Sequence, residues 1–398
     1  MKELSKIALN IQASTTLEVD ALYKQMKQSG IDVVGFGTGE PDFDTPENIK
    51  NAAIKAIKEG KTKYTPASGL PELRKAIADR LLQDCNVKYA PSQIVAASGA
   101  KHSIFVALCC VINPGDEVIL PAPYWVTYIE AIEMAGGIPK IIHATEKSDF
   151  KITKEQLVSV ISDKTKLLIL NNPSNPTGML YDKDELEELC EVCVAHDLYI
   201  LSDEVYYRFV YDGRKFTSVA ALSEDIKERT ILINGVSKTY AMTGWRIGYT
   251  ASNEKLANVM GDFLSHSTSA PCTISQIAAI EALSGSQKAV DEMCDKFKER
   301  RDYIVGRIAA IDSVSCRIPQ GAFYVMLNVE ELIGKSYDGK IINNSDDFSM
   351  MFLEKGLVAT ISCRGFGCEN FARLTYATSM ESIKSGMDRL EKFVGQLK

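Results

Sequence analysis

The sequence predicts an α/β protein whose main part is a mostly parallel sheet flanked by helices. Apolar or β-branched runs alternate with helical patterns of about a dozen residues, the order from which parallel sheets are built. Some runs are apolar throughout, such as residues 167–170 (LLIL), and such strands fit a sheet buried on both faces. The predicted strands are residues 93–98, 117–120, 138–142, 166–170, 198–202, 230–234 and 246–251.

The pattern changes near residue 284. A long charged helix is predicted over residues 291–301, followed by shorter strands and a final helix, while the first forty or so residues are too irregular for the main sheet. A chain of 398 residues is long enough for two domains. We therefore expect a segment over residues 1–45 that packs with a small domain, a large domain over 46–283 and a small α/β domain over 284–398, built from both chain ends.

Composition excludes several classes of protein. The chain is 45% hydrophobic and 24% charged, as is typical of soluble globular proteins. Its net charge of −7, without a basic block, makes nucleic acid an improbable partner. No apolar run reaches the roughly 20 residues of a membrane helix, and no apolar stretch follows the charged start of the chain. We expect no membrane association and a cytoplasmic location.

The ten cysteines are predicted to be free thiols, because the chain is long and shows no secretion signal. Cys190 and Cys193 form a CxxC, but they fall on the apolar stripe of a predicted helix, and no second CxxC completes a zinc site. The four histidines are scattered. No metal site is predicted.

Two apparent motifs fail on their surroundings. The glycine loop at residues 35–39 has Glu40 where a dinucleotide-binding loop needs glycine, and Pro41 follows instead of a helix. Ser98 to Lys101 match the SxxK of serine β-lactamases, but neither SDN nor KTG occurs in the chain.

The most informative segment surrounds Lys238. This lysine lies between a predicted strand and a glycine-spaced loop, and Arg246 follows eight residues later. Open α/β sheets bind ligands at the carboxyl ends of their strands, where a lysine amine can form a Schiff base with an aldehyde cofactor. Residues 234–248 (NGVSKTYAMTGWRIG) are similar to the pyridoxal-phosphate lysine signature of the class I aminotransferases.

Further motifs follow the order of that family over nearly the whole chain. They are residues 37–43 (GTGEPDF), 63–69 (KYTPASG), 98–101 (SGAK), 123–125 (PYW), 172–178 (NPSNPTG), 202–206 (SDEVY) and 373–376 (RLTY). Each is weak alone, but the ordered set resembles the bacterial type of aspartate aminotransferase. The resemblance implies a fold type I pyridoxal-phosphate-dependent transferase and a homodimer with shared active sites.

The resemblance also implies roles around the cofactor ring. Lys238 would carry pyridoxal phosphate, and Asp203 would hold the ring nitrogen protonated so that the ring accepts electrons. Tyr206 and Asn175 would hydrogen-bond the ring hydroxyl, and Trp125 would stack on the ring. Each has a structural alternative, since a strand-end aspartate is often a cap and Asn-Pro-Thr-Gly is a turn by itself.

Phosphate binding is expected at the start of a helix predicted over residues 102–111, because helix N-termini bind anions. Tyr64 would reach the phosphate from the neighbouring subunit. The other implied phosphate ligands are Ser98, Gly99, Ala100, Lys101, Ser237 and Arg246.

On the substrate side, Arg373 would grip the α-carboxylate, assisted by Asn175, Trp125 and the backbone of Gly39. Lys101 has two interpretations. It binds the distal carboxylate of an acidic substrate, together with hydroxyls from residues 14–16, or it offsets the charge of the phosphate. One segment departs from the family pattern, because residues 361–363 read Ile-Ser-Cys where relatives carry a Pro-Gly turn.

The implied reaction is a ping-pong transfer of an amino group from an L-amino acid, aspartate above others, to a 2-oxo acid such as 2-oxoglutarate. Lys238 would act as general base and acid at the α-carbon, with Asp203 and Tyr206 as the other catalytic residues. The alternatives are an aminotransferase for aromatic or neutral amino acids and a pyridoxal-phosphate β-lyase. A regulator that borrows this fold would carry a DNA-binding domain before the aminotransferase part. Residues 37–43, which resemble the family's N-terminal substrate loop, start too early to leave room for one, so this class is disfavoured.

Overall fold

The computed structural model describes residues 2–11 and 16–398. Within these residues, the strands form one seven-stranded sheet, one three-stranded sheet and two strand pairs. The strands are β1 (Val34–Gly35), β2 (Ile94–Ala97), β3 (Glu117–Ala122), β4 (Ile138–His143), β5 (Thr165–Asn171), β6 (Tyr199–Asp203), β7 (Thr230–Gly235), β8 (Gly248–Ala251), β9 (Tyr324–Asn328), β10 (Ser336–Tyr337), β11 (Lys340–Ile341), β12 (Val358–Ala359), β13 (Ile361–Ser362) and β14 (Phe371–Thr375).

Helices connect most of these strands and cover the main sheet. The α-helices are α1 (Lys6–Asn10), α2 (Thr16–Gln28), α3 (Glu47–Lys58), α4 (Pro71–Cys85), α5 (Ala100–Val111), α6 (Thr127–Met134), α7 (Lys154–Val160), α8 (Lys183–Ala195), α9 (Glu224–Arg229), α10 (Glu254–His266), α11 (Thr273–Ser284), α12 (Lys288–Ala309), α13 (Ser345–Gly356) and α14 (Met380–Val394).

The large sheet confirms the predicted α/β class. Its strand order is β2-β8-β7-β6-β5-β3-β4. Six of these strands run in the same direction, and β8 runs antiparallel to them. All seven predicted strands are present, with ends that differ by at most two residues. The last of them begins at Gly248 rather than Arg246, because a short 3₁₀ turn ends at Arg246 with a left-handed φ of 57°.

Both faces of the sheet are buried, as the continuous apolar runs predict. Side chains alternate across a strand, so Leu167 and Ile169 of β5 pack in one apolar cluster and Leu168 and Leu170 pack in another. The second cluster includes the α8 stripe with Cys190 and Cys193. The start of α8 is a capping box, in which Asp182 and Glu185 each accept a hydrogen bond from the other's backbone N–H.

Both ends of the chain contribute to the strands outside the main sheet. β1 pairs with β12 in parallel, and β9, β14 and β13 form an antiparallel sheet. The charged helix predicted over residues 291–301 is part of α12. These pairings support the proposal that the N-terminal segment packs with a small domain over 284–398, and the domain boundaries themselves stay a prediction.

Three further observations concern the sequence predictions about location, thiols and metals. No helix within residues 2–11 and 16–398 is long and apolar enough to cross a membrane. The ten cysteines are free. The same residues contain no group of three or more His, Cys, Asp or Glu side chains that could hold a metal ion.

Candidate active site

The carboxyl ends of β5, β6 and β7 lie side by side, at Asn171, Asp203 and Gly235. The loops beyond them, the start of α5 and the strand β14 enclose a cavity of about 570 Å³. This is the edge at which open α/β sheets bind ligands. Eleven of the residues singled out from the sequence line the cavity: Gly39, Ala100, Lys101, Trp125, Asn175, Asp203, Tyr206, Ser237, Lys238, Arg246 and Arg373.

Lys238 lies just after β7 and points into the cavity, where its amine donates a hydrogen bond to the carbonyl oxygen of Gly39. Burial lowers the pKa of the Lys238 amine to about 8; the carboxylate of Glu40 opposes this shift, and the nearby Arg373 adds to it. A substantial fraction of the amine is therefore neutral at pH 8, which is the form that attacks carbonyl carbons.

Asp203 is the last residue of β6 and is only 3% exposed. Its Oδ2 accepts a hydrogen bond of 2.6 Å from the hydroxyl of Tyr128, and its Oδ1 accepts one of 3.3 Å from the backbone N–H of Val205. Burial raises the pKa of the Asp203 carboxyl to about 6, against the lowering effect of the Tyr128 hydrogen bond. Above that pH the site contains a buried anion at the sheet edge.

Arg373 on β14 is 6% exposed and is held from two sides. Its Nη1 donates to Oδ1 of Asn175 at 3.0 Å, and its Nη2 donates to the carbonyl oxygen of Gly37 at 2.8 Å. The guanidinium carbon also lies 4.6 Å from the ring centre of Tyr324 and 5.2 Å from that of Phe366. The plane of this guanidinium is therefore fixed before any ligand binds.

The region around α5 is built for close approach of the backbone to Arg246. Gly99 precedes α5 with φ 91°, and a Cβ atom there would lie 2.2 Å from Nη2 of Arg246. A Cβ atom at Gly248 would lie 2.2 Å from the backbone nitrogen of Ala100. Arg246 donates to the carbonyl oxygens of Ser98 at 3.3 Å and Thr243 at 2.8 Å. Helix N–H groups and a guanidinium thus converge on one end of the cavity, which suits an anion.

Lys101 lies in the first turn of α5, with its Nζ 5.0 Å from the ring centre of Trp125. Partial burial lowers the pKa of the Lys101 amine, and the charge of Arg246 adds to the shift. Trp125 itself packs edge-on against Tyr128, with ring centres 5.5 Å apart. Lys101 is therefore near both the anion end of the cavity and the ring of Trp125.

The remaining predicted residues lie elsewhere. Tyr64 is fully exposed. The carbonyl oxygen of Ser98 accepts a hydrogen bond from Arg246, and Gly99 lies next to the same guanidinium, but neither residue is among those that line the cavity. Residues 14 and 15 lie outside the described residues, and so does the side chain of Thr16.

The departure from the family pattern at residues 361–363 forms β13 and the residue after it. Ile361 lies opposite Arg373 in the antiparallel pairing of β13 with β14, and it lines the cavity. Cys363, in contrast, is fully buried in an apolar cluster.

Sequence reasoning missed several residues of the site. Asn171 joins two predicted residues: its side chain accepts from the N–H of Asn175 at 2.8 Å and donates to the carbonyl oxygen of Asp203 at 3.0 Å. Tyr128 is in the first turn of α6, which begins two residues after Trp125, and no local motif marks it. Lys24 and Tyr324 also line the cavity, and no local motif marks them.

Comparison with known proteins assigns the class. Residues 31–390 match the family described as aminotransferase class I and II. The match covers most of the chain and includes the lysine, aspartate and arginine of the cavity. The chain therefore belongs to the class I and II aminotransferases.

Individual relatives are similar over their whole length. The aspartate aminotransferase of Bacillus sp. (strain YM-2) is 45% identical over 99% of this chain and 100% of its own. The aspartate/prephenate aminotransferase of Cereibacter sphaeroides is 42% identical over 100% of both chains. The crystal structure of the aspartate aminotransferase from Rhizobium meliloti superposes with a TM-score of 0.97 at 39% identity, over 100% of both chains.

Proposed function

We propose that this chain is a pyridoxal-phosphate-dependent aspartate aminotransferase, which moves the amino group of aspartate to 2-oxoglutarate. The observation that carries the proposal is that Lys238, Asp203 and Arg373 meet in one cavity. Relatives named aspartate aminotransferase are similar to it along the whole chain.

The residues of the cavity fit the cofactor. Gly99 leaves room for the guanidinium of Arg246, which a side chain at position 99 would displace. That guanidinium, Ser237 and the first N–H groups of α5 would hold the phosphate. Trp125 would cover the ring, and Asn175 and Tyr206 would bind its hydroxyl. When bound, pyridoxal phosphate supplies an aldehyde carbon and a ring that accepts electrons.

Asp203 would keep the ring nitrogen protonated. Its carboxyl is held in place by the hydroxyl of Tyr128 and is charged above a pKa of about 6. A cation opposite this carboxylate would lower its pKa below that value, because opposite charges stabilise each other in a buried site. The carboxylate would therefore stay charged at neutral pH.

Lys238 would bind the aldehyde and afterwards move the α-proton. Its pKa of about 8 provides a neutral amine near neutral pH, and the same amine can take a proton from carbon and return it. General acid–base catalysis of this kind typically contributes a factor of roughly 100 to 10,000.

Arg373 would orient the substrate by its α-carboxylate. A guanidinium presents two parallel N–H donors to a carboxylate, and the rings of Tyr324 and Phe366 already fix its plane. With Arg246 at the phosphate and Arg373 at the α-carboxylate, Lys101 would pair with the distal carboxylate of aspartate. This disposition of charge supports an acidic substrate.

We also propose a homodimer with shared active sites. Tyr64 is fully exposed in the single chain, as expected of a residue that reaches the phosphate of a neighbouring subunit. The cytoplasmic location expected from the sequence stays a prediction.

The test is an assay of purified protein loaded with pyridoxal phosphate. Aspartate with 2-oxoglutarate should give oxaloacetate and glutamate, and Lys238→Ala should give neither. Release of pyruvate and ammonia from cysteine, which carries a leaving group on its β-carbon, without transamination of aspartate, would instead indicate a β-lyase.

A second acceptor is suggested by the relative named aspartate/prephenate aminotransferase. Prephenate should therefore be tested beside 2-oxoglutarate, and phenylalanine and alanine should be tested beside aspartate. Faster turnover of phenylalanine or alanine than of aspartate would contradict the proposed substrate.

A further inference from the structure

Tyr324 contacts the residues of both halves of the site. It is the first residue of β9, is 1% exposed and lines the cavity. Its hydroxyl lies 3.0 Å from the hydroxyl of Tyr206, and its ring stacks on the guanidinium of Arg373 at 4.6 Å. A Cβ atom at Gly39 would lie 2.9 Å from the same hydroxyl, so the backbone of the loop at Gly39 also packs closely against Tyr324.

The hydrogen bond between the two tyrosines has a direction once the cofactor is bound. Each phenol has a single O–H to donate. When Tyr206 donates to the ring hydroxyl oxygen of the cofactor, the bond of 3.0 Å must run from Tyr324 to Tyr206. A phenol that accepts a hydrogen bond becomes a stronger donor, because bonds in a chain polarise one another.

The ring of Tyr324 has a separate effect. The centre of this ring lies 4.6 Å from the guanidinium carbon of Arg373, and the centre of the Phe366 ring lies 5.2 Å from the same carbon. A guanidinium held against an aromatic face loses freedom to rotate and is attracted by the ring. The fork of N–H groups therefore keeps the orientation that a carboxylate needs.

We propose that Tyr324 is a positioning residue that couples the cofactor half of the site to the substrate half. Its hydroxyl strengthens the hydrogen bond that Tyr206 gives to the cofactor ring oxygen, and its ring holds the Arg373 fork. This inference rests on the proposed function, because it needs pyridoxal phosphate beside Tyr206 and a carboxylate beside Arg373.

Other charged groups influence the pKa values of the two tyrosines, and they remain in place when Tyr324→Phe removes only the hydroxyl. The charge of Asp203 raises the pKa of Tyr206, and the charge of Arg373 lowers it. The charge of Arg373 also lowers the pKa of Tyr324. Lys238 lies 6.0 Å from the ring centre of the adjacent Phe323. A substitution that removes only the Tyr324 hydroxyl therefore isolates its own effect from theirs.

The first experiment is a pH titration of the visible absorbance of the resting, cofactor-loaded protein, without substrate. Hydrogen bonding to the ring oxygen stabilises its anionic form and so lowers the pH at which the bound cofactor loses its proton. Tyr206→Phe should raise the midpoint, and Tyr324→Phe should raise it less, by roughly 0.2 to 0.7 pH unit. Tyr181→Phe is the matched control, since Tyr181 is also buried and its hydroxyl bonds the backbone of Ile152 outside the cavity.

The second experiment measures binding of maleate, a dicarboxylate without an amino group, to the same loaded proteins by calorimetry. Tyr324→Phe keeps the ring and should bind like the wild type. Tyr324→Leu removes the ring and should bind roughly 3- to 30-fold more weakly, the range expected for a lost cation–π contact. Thermal unfolding of each variant verifies that it is folded.

The outcomes separate this inference from the proposed function. A midpoint that rises in Tyr206→Phe but is unchanged in Tyr324→Phe would overturn the role of the hydroxyl. Wild-type affinity for maleate in a folded Tyr324→Leu protein would overturn the role of the ring. A wild-type protein that binds no pyridoxal phosphate would instead contradict the proposed function, and the inference with it.

Discussion

Replacement of Arg373 by lysine tests how the site grips a substrate. Lysine keeps the positive charge but has one nitrogen, whereas the guanidinium donates to Asn175 and to Gly37 through two different nitrogens, at 3.0 and 2.8 Å. The ammonium also lacks the flat face that stacks on Tyr324 and Phe366. The fork that would bind the α-carboxylate is therefore lost while the charge remains.

The size of the effect follows from the hydrogen bonds. A hydrogen bond to a charged group contributes about 1.5–3 kcal/mol, so kcat/KM for aspartate should fall about 10- to 100-fold or more in Arg373→Lys. If the fork binds the carboxylate equally in the ground state and the transition state, the loss appears in KM with little change in kcat.

The assay is steady-state transamination of aspartate with 2-oxoglutarate, with Arg364→Lys as the matched control. Arg364 lies nine residues earlier in a short 3₁₀ turn, where its exposed side chain pairs with Asp346 at 2.6 Å and Glu369 at 3.1 Å. Exposed ion pairs contribute about 0–1 kcal/mol, so the control should keep nearly wild-type kinetics. Wild-type kcat/KM in Arg373→Lys would refute the carboxylate role of Arg373.

Two further predictions concern the cofactor and the specificity of the site. Asp203→Asn should still bind pyridoxal phosphate but lose turnover by about 10- to 100-fold or more, because a neutral amide cannot hold the ring nitrogen protonated; unchanged kcat, measured with saturating cofactor, would contradict this. Lys101→Ala should lower kcat/KM roughly 10-fold for aspartate and glutamate and hardly at all for alanine and phenylalanine, with the exposed Lys288→Ala as control. An equal loss across acidic and neutral donors, with weaker cofactor binding, would assign Lys101 to the phosphate instead.

Sequence reasoning predicted the fold well because each strand of the main sheet is marked by a run of apolar or β-branched residues that are adjacent in the chain. The continuous apolar run of residues 167–170, for example, depends only on neighbours in the chain, and it forms the predicted strand β5, buried on both faces. Four of the motifs that carry the family resemblance lie at the carboxyl ends of β2, β3, β5 and β6, and these ends share one edge of the main sheet, where the cavity lies.

Contacts between distant segments were not predictable in this way. Tyr324 meets Tyr206 across 118 positions, and Lys238 meets the carbonyl oxygen of Gly39 across 199. Nothing local marks Tyr324, because a tyrosine that opens a strand usually packs in the core. The departure at residues 361–363 also needed the structure, which places Ile361 rather than Cys363 on the cavity wall.

The most direct test of the account is to locate the lysine that carries pyridoxal phosphate. Borohydride reduction of the loaded protein, followed by proteolysis and mass spectrometry, should place the adduct on the peptide that contains Lys238. Lys238→Ala should lose the adduct and nearly all turnover, because its amine is the group that binds the aldehyde and moves the proton. An adduct on another lysine, or full turnover in Lys238→Ala, would contradict the account.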